Sequence, residues 1–284
     1  MIEGEPSHTA IYVAAMRAAH LRFDPPPHLL DDELAAALLG AEHEPLIESV
    51  ADGAHWVLLE NRLFVPLRAR WVEDRLRAAY RAGVRQYVIL GAGLDSFSFR
   101  QPAELGELQI FEVDHPNTQQ WKRDRIRSLG WSVPHNVTFT ECDFERTSIS
   151  DALKRASFHS DEPALVSWMG VIYYLARPSA RQALAALNST LTAGSEVVLD
   201  YLVPYEDLSP RYLALTETSG QYLKRVGEPH VNKLRPAELE KDILEAGFSG
   251  AILESRGDIF ERYLATRASE IPLSERFGLA VAVK

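Results

Sequence analysis

Apolar and polar positions follow two different rhythms along this chain, and the change falls near residue 84. Before it, apolar residues recur at helical spacing and predict helices over 8–22, about 31–40 and about 67–82. After it, short apolar runs alternate with helical patterns, which is typical of βαβ units. The predicted strands are 86–90, 108–113, 137–140, 163–168, 195–200, 249–254 and 278–283, and the predicted helices between them are 116–129, 148–157, 178–191 and 236–246.

This pattern predicts an α/β fold with a doubly wound, mostly parallel, seven-stranded Rossmann-like sheet. The last strand could be antiparallel and inserted beside its predecessor. We expect a single domain over 1–284, in which 1–83 form a helical N-terminal cap, 84–203 the cofactor-binding core and 234–284 the last part of the sheet. The polar segment 204–233 breaks the alternation, so it is either a lid-like insertion over the site or a helical insertion without a role.

Composition narrows the class of protein. Hydrophobic residues make up 46% and charged residues 25% of the 284 positions, as in globular proteins with an ordinary core. The net charge of −10, without a block of basic residues, argues against a nucleic-acid partner. No apolar tract approaches the roughly 18 residues that cross a bilayer, and the acidic N-terminus is unlike a secretory signal, so we expect a cytoplasmic protein.

Metal binding and disulfide formation find no support in the sequence. Cys142 is the single cysteine, and we expect it to be a small buried residue. No cluster of His, Cys, Asp or Glu has the spacing of metal ligands, so no metal is predicted. A local basic run follows Pro116 and is predicted to be the solvent-exposed face of a helix: Lys122, Arg123, Arg125 and Arg127.

The first predicted strand ends in a glycine-rich turn, Gly91-Ala92-Gly93, followed by Asp95. The two glycines would let the backbone turn sharply and approach a ligand closely. On its own, this motif fits an ordinary strand-to-loop junction equally well. A dinucleotide would place a pyrophosphate beside Asp95, which is unfavourable, and the third glycine of such sites is absent. S-adenosylmethionine carries an ammonium and a sulfonium group instead of phosphate, so a carboxylate is tolerable there.

The second predicted strand ends in two acids, Glu112 and Asp114, which lie 21 and 23 residues beyond Gly91. At about this interval, doubly wound folds place a carboxylate that accepts the ribose hydroxyl groups. We prefer Asp114, because it stands at the strand end. The alternative is that Asp114 only caps the helix that begins at Pro116.

The next two strands end in residues that also suit a nucleoside. Asp143 could accept a hydrogen bond from the adenine amino group while Phe144 covers the ring, and Trp168 with Met169 follows the fourth strand. Ligands of such sheets collect outside the carboxyl ends of the strands, so this coincidence says more than any single motif.

Three stretches carry a resemblance to a known family: Gln86–Ser96, Phe111–Pro116 and the pair Lys122-Arg123. They are similar to the leucine carboxyl methyltransferase family, including its bacterial branch of polyketide-type O-methyltransferases. The resemblance covers nearly the whole chain, through Ser7–Ala10, Leu67–Arg70, Cys142–Phe144, Trp168–Val171, Tyr174-Leu175, Asp200-Tyr201 and Gly227–Pro229.

The resemblance implies a class I methyltransferase that uses S-adenosyl-L-methionine and releases S-adenosyl-L-homocysteine. Arg68 would then pair with the carboxylate of the methionine part, Asp114 would hold the ribose, and Asp143 with Phe144 would hold adenine. The remaining cofactor contacts would come from the glycine turn and from residues beside it: Gly91, Ala92, Gly93, Asp95, His115, Trp168 and Met169. Family members that methylate a protein phosphatase have glutamate at the position of Met169, which argues against that substrate.

The resemblance favours O-methylation of a carboxylate on a small natural product or peptide. A carboxylate is ionised at neutral pH and needs no base, whereas a phenol or alcohol would need one. The candidate bases are His115, His20, His8 and His230, with Tyr201 as an orienting hydroxyl. The sequence favours a helix-end or surface position for each of them, so no catalytic base is assigned. Tyr173, Tyr174 and Tyr201 could line the acceptor pocket or belong to the core. An NAD-dependent oxidoreductase and an inactive binding module remain alternatives.

Overall fold

Seven strands form one mixed sheet in a computed structural model that describes residues 6–51, 56–144, 146–266 and 273–284. The strand order is β3-β2-β1-β4-β5-β7-β6, and β7 runs antiparallel to both of its neighbours. The prediction of a mostly parallel, seven-stranded sheet with an antiparallel last strand is confirmed. The strands are β1 (Gln86–Leu90), β2 (Gln109–Asp114), β3 (Val137–Glu141), β4 (Ala164–Trp168), β5 (Glu196–Leu202), β6 (Gly250–Leu253) and β7 (Phe277–Val283).

The helices lie before the sheet and between its strands. They are α1 (His8–Phe23), α2 (Ala35–Leu39), α3 (Glu44–Ala51), α4 (Trp56–Arg81), α5 (Phe97–Arg100), α6 (Pro116–Ser128), α7 (Ile149–Arg155), α8 (Arg177–Thr190), α9 (Pro210–Arg225), α10 (Pro236–Glu245) and α11 (Arg256–Tyr263). No helix in the described ranges is both long and apolar enough to cross a membrane.

Helix α4 begins earlier than the pattern predicts. The sequence indicates a start near Leu67, but the helix starts at Trp56 and continues through Pro66. Proline lacks an amide hydrogen and normally interrupts a helix. Here Leu63 and Phe64 are buried against the sheet, which stabilises the first turns although Pro66 follows them. Helices α3 and α11 were not predicted, because eight residues are too few for a clear periodicity.

The sheet has an apolar layer on each face, as its strand sequences suggest. Along β1, Val88 and Leu90 point to one face, where they pack with α7, α8 and α10. Tyr87 and Ile89 point to the other face, against α4 and α11. A strand buried on both faces reads as a continuous apolar run, which is why the motif around the glycine turn was visible in the sequence.

The prediction that the basic run of α6 is solvent-exposed is confirmed for Arg123 and Arg127 and is wrong for Lys122, while Arg125 is only partly exposed. The Lys122 side chain is 1% exposed, and its Nζ lies 2.5 Å from the Glu112 carboxylate. It also donates to the backbone oxygen of Asp95, while Arg125 donates to the carbonyl oxygens of Ala37 and Leu38. These two side chains therefore connect α6 to the glycine turn and to α2.

Candidate active site

A cavity of about 1090 Å³ opens at the carboxyl ends of β1, β2, β3 and β4. The registers place these strand ends side by side, since Gln86 of β1 pairs with both Gln109 of β2 and Ala164 of β4. Strand order reverses between β1 and β4, and ligands of doubly wound sheets bind at such a reversal. Helices α1 and α4 and the segment 227–231 complete the walls. The volume is ample for a nucleoside together with a second small molecule.

The glycine turn forms the floor of this cavity under tight steric limits. Gly91 and Gly93 have φ of +69° and +51°, in the left-handed region that favours glycine. A Cβ on Gly91 would collide with the Val171 side chain, and one on Gly93 would lie 3.1 Å from the Cβ of Ala10. Both glycines are therefore required by the fold itself, and their places do not by themselves demonstrate a ligand.

Asp114 joins the end of β2 to the glycine turn. Its carboxylate accepts the backbone N–H groups of Gly93 and His115, the second at 2.6 Å. Burial raises the pKa of Asp114 to about 6, although these two hydrogen bonds act in the opposite direction. The helix cap is His115, whose Nδ1 accepts the N–H of Asn117 at 3.3 Å. Asp114 thus does not cap α6, and its remaining lone pairs are available to hydroxyl donors.

Asp143 and Phe144 follow β3 and line the same cavity as Asp114. The backbone oxygen of Asp143 accepts the N–H groups of Arg146 and Thr147 at 2.9 and 2.7 Å, which curls the chain into a tight turn. The Asp143 carboxylate is 25% exposed and lies 4.0 Å from Nε2 of His115. Beside them, burial raises the pKa of the Cys142 thiol to about 11, and this cysteine is buried as predicted.

Arg68 projects from α4 into the cavity and is held by an acid behind it. Its Nη1 donates to Asp200 at 2.5 Å and to the Tyr173 hydroxyl at 3.2 Å. Burial alone would lower the pKa of Arg68, but the Asp200 carboxylate and Tyr173 raise it above its ordinary value. Met169 and Gly170 also line the cavity, and Gly170 lies next to this guanidinium.

A second wall comes from two segments that are distant in sequence. Ser7, Thr9 and Ala10 at the start of α1 line the cavity together with 227–231. The Glu228 carboxylate accepts the N–H groups of His8 and Thr9 at 3.1 and 3.0 Å. Glu228 is a site residue that was not predicted from the sequence, although its place between glycine and proline in a polar insertion indicates a specific turn.

The structure brings most of the predicted site residues to this cavity. Its lining includes Arg68, Gly91, Ala92, Gly93, Asp95, Asp114, His115, Asp143, Phe144, Met169, Tyr173 and Tyr174. The Asp95 carboxylate accepts the N–H of Phe97 at 2.7 Å and so shapes the chain after the glycine turn. In the part of the chain that the structure describes, no three His, Cys, Asp or Glu side chains lie together as a metal-binding group.

Two predicted site residues are not part of the cavity lining. Trp168 is fully buried, because strand alternation points its indole into the core layer of Val88 and Leu90. Tyr201 is 4% exposed, and its ring packs against the backbone of Gly278 on β7. Placing Trp168 against the cofactor and Tyr201 beside the acceptor was therefore wrong.

Comparison with known proteins identifies the family. The family model described as leucine carboxyl methyltransferase matches residues 10–188. This chain belongs to the leucine carboxyl methyltransferase family. YktD of Bacillus subtilis, named an S-adenosyl-L-methionine-dependent methyltransferase, is 32% identical to this family member over 222 residues, which are 71% of this chain and 72% of YktD.

Two further matches cover nearly the full length of this chain. A protein of Mycobacteroides abscessus with the same kind of name is 31% identical over 274 residues, covering 95% of this chain and 85% of its own. The crystal structure of a DUF574 family protein from Streptomyces avermitilis aligns over 100% of both chains with a TM-score of 0.60 and 16% identity, which shows the fold alone. The predicted family is thus confirmed, and the oxidoreductase alternative has no support.

Proposed function

We propose that this methyltransferase transfers a methyl group from S-adenosyl-L-methionine to a carboxylate oxygen of a small natural product or peptide. The observation that carries the proposal is one cavity that joins the glycine turn, Asp114, Asp143 and Arg68 at the strand ends. These groups match the parts of a nucleoside that lacks phosphate and bears an amino acid. The cofactor itself is the one named for the relatives of this chain.

The polar groups of the cavity fit such a cofactor. Among the residues that the structure describes, two N–H groups donate to the buried Asp114 carboxylate, so the two ribose hydroxyls would supply further hydrogen bonds to it. Asp143 would accept from the adenine amino group, with Phe144 beside the ring. Arg68 would donate to the carboxylate of the methionine part. When bound, S-adenosylmethionine supplies a methyl group that its sulfonium already activates, so the protein mainly aligns the two reactants and excludes water.

The surroundings of three of the five candidate groups favour an acceptor that is already ionised. Nδ1 of His115 is engaged in capping α6. Burial lowers the pKa of His230 to about 3, and the nearby Arg276 and Lys233 act in the same direction. Tyr201 is not part of the cavity lining. A carboxylate acceptor needs none of these groups, whereas a phenol would require a base that they supply poorly.

Calorimetric titration with S-adenosylhomocysteine tests the cofactor site. We expect Arg68→Ala, Asp114→Ala and Asp143→Ala each to weaken binding at least about tenfold, the equivalent of ~1.4 kcal/mol. Asp161→Ala, an exposed acid outside the cavity, is the matched control. Unchanged affinity in all three cavity variants would refute the assignment.

Methyl transfer to a panel of carboxylic acids tests the acceptor class, with the methyl ester of each acid and a set of phenols as controls. A carboxylate acceptor predicts a base-labile product and a rate that changes little between about pH 6.5 and 9, because no base must be deprotonated. Transfer to phenols alone, with a rate that rises steeply over that range, would favour the phenolic alternative.

A further inference from the structure

Asp200 stands at the centre of a buried polar network behind the cavity. It belongs to β5, is fully buried and is not part of the cavity lining. Its Oδ1 accepts the backbone N–H of Gly170 at 2.7 Å. Its Oδ2 accepts from Nη1 of Arg68 at 2.5 Å and from the Tyr173 hydroxyl at 3.4 Å. Asp200 therefore contacts three residues that line the cavity without reaching the cavity itself.

The bonds of Asp200 leave one side of the Arg68 guanidinium available. Nη1 is occupied by Asp200 and Tyr173, while no acceptor in the described part of the chain bonds to Nη2 or Nε. Nη2 lies 3.0 Å from the place where a Cβ on Gly170 would stand, so the absence of a side chain there makes room for it. Because a guanidinium is planar, fixing one nitrogen restricts the directions in which the others donate.

Charge supports the same arrangement. The Arg68 side chain is 8% exposed and Asp200 is 0% exposed, so neither charge is solvated and each depends on the other. An arginine has five N–H donors and can serve two carboxylates at once, one from the protein and one from a ligand. A lysine at position 68 would form an ion pair with Asp200, and its single ammonium group would not present a second set of N–H donors to the cavity.

We propose that Asp200 is a positioning residue, which orients Arg68 so that its free N–H groups select ligands bearing an amino-acid carboxylate. This inference rests on the proposed function, since it concerns the methionine part of the cofactor. Through Gly170 and Tyr173, the same carboxylate also ties the loop after β4 to this arrangement. Asp200 acts through Arg68 and touches no ligand.

Two ligands separate positioning from general structural damage: S-adenosylhomocysteine and 5′-methylthioadenosine, which has the same nucleoside but no amino-acid carboxylate. Calorimetry should show that Asp200→Asn, which keeps an acceptor for Gly170, weakens S-adenosylhomocysteine binding at least about tenfold. The affinity for 5′-methylthioadenosine should stay within about twofold, as it should for both ligands in the exposed control Asp161→Asn. In an Arg68→Ala background, Asp200→Asn should add no further loss, because the pair acts as a unit.

Each contrary result has a distinct meaning. Equal losses for both ligands would assign Asp200 a merely structural role, and unchanged binding of S-adenosylhomocysteine would overturn the inference outright. Wild-type protein that binds neither ligand would refute the proposed function and this inference together. If Asp200→Asn does not fold, Asp200→Glu provides the same comparison, because it keeps the charge but displaces the carboxylate from Arg68. Weaker binding of S-adenosylhomocysteine alone is the expected result, and unchanged binding of both ligands would contradict the inference.

Discussion

The Glu228 carboxylate accepts the backbone N–H of Thr9 at 3.0 Å, although the two residues are 219 positions apart in the chain. The same carboxylate accepts from the N–H of His8 and from the Ser7 hydroxyl, and it is 7% exposed. The first N–H groups of a helix have no acceptors within the helix, and the Glu228 carboxylate serves as acceptor for two of these groups in α1. One side chain thus joins two walls of the candidate active site.

Replacing Glu228 with alanine should destabilise the protein and loosen this junction. The loss of the carboxylate takes this acceptor from the N–H groups of His8 and Thr9, while the Ser7 hydroxyl still accepts from Ala10, and such a loss typically costs about 1–2 kcal/mol. Urea denaturation should measure that loss, and S-adenosylhomocysteine should dissociate faster in stopped-flow experiments. Glu240→Ala, at an exposed position of α10, is the control. A Glu228→Ala variant as stable as this control would contradict the role given to Glu228.

Asp114 should make cofactor binding depend on pH. Burial raises its pKa from 3.8 to about 6, so the carboxylate that we propose as the acceptor of the ribose hydroxyls is protonated below that pH. The affinity for S-adenosylhomocysteine should therefore fall as the pH drops through about 6. Calorimetry between about pH 5 and 8 should show this step in the wild type and in His115→Gln, but not in Asp114→Asn.

The stability of the unliganded protein should change in the opposite sense. A carboxyl group whose pKa is higher in the folded than in the unfolded state stabilises the fold below the unfolded pKa, and this contribution is lost as the pH rises through the folded pKa. For Asp114 the window lies between 3.8 and about 6. Denaturation at pH values across this window should show a falling contribution that Asp114→Asn lacks. A difference in unfolding free energy between the wild type and Asp114→Asn that does not vary with pH would contradict the raised pKa of Asp114.

The buried pair of Lys122 and Glu112 should respond asymmetrically to mutation. Lys122→Met leaves the Glu112 carboxylate without its counter-charge, and such losses cost about 3–5 kcal/mol. Adding Glu112→Leu should recover most of that stability, as a double-mutant cycle in guanidinium chloride can measure. Arg127→Met is the surface control, because Arg127 and Asp124 are 73% and 53% exposed. A Lys122→Met variant no less stable than this control would contradict the expectation.

Local patterns explain how much of the fold was predictable. Apolar runs and their spacing are properties of short stretches, so the seven strands and most helices could be read from the sequence. The boundary of α4 was missed, because Pro66 reads locally as an interruption while burial of Leu63 and Phe64 depends on the sheet. The site residues after β1, β2 and β3 were found because parallel strands bring their carboxyl ends together.

Side-chain direction was the main source of error within the site. Trp168 stands at the end of β4, but its side chain points into the core. Tyr201 is covered by Gly278 of β7, a strand that comes late in the chain. Lys122 reads as part of a basic surface run, whereas its charge is compensated by Glu112 on another element. None of these placements can be read from spacing, because each depends on what packs against the residue.

By itself the sequence determined the order of strands and helices, the glycine turn and the acids at the strand ends, since short-range periodicity and backbone conformation are local. Only the tertiary structure decided which charges became partners: Arg68 with Asp200, 132 positions away, and Glu228 with Thr9. Such pairs form when the sheet and helices have assembled, because burial removes water and then requires each polar group to find a partner within reach. The local pattern thus predicts where the site lies, and the assembled fold decides how its groups are held.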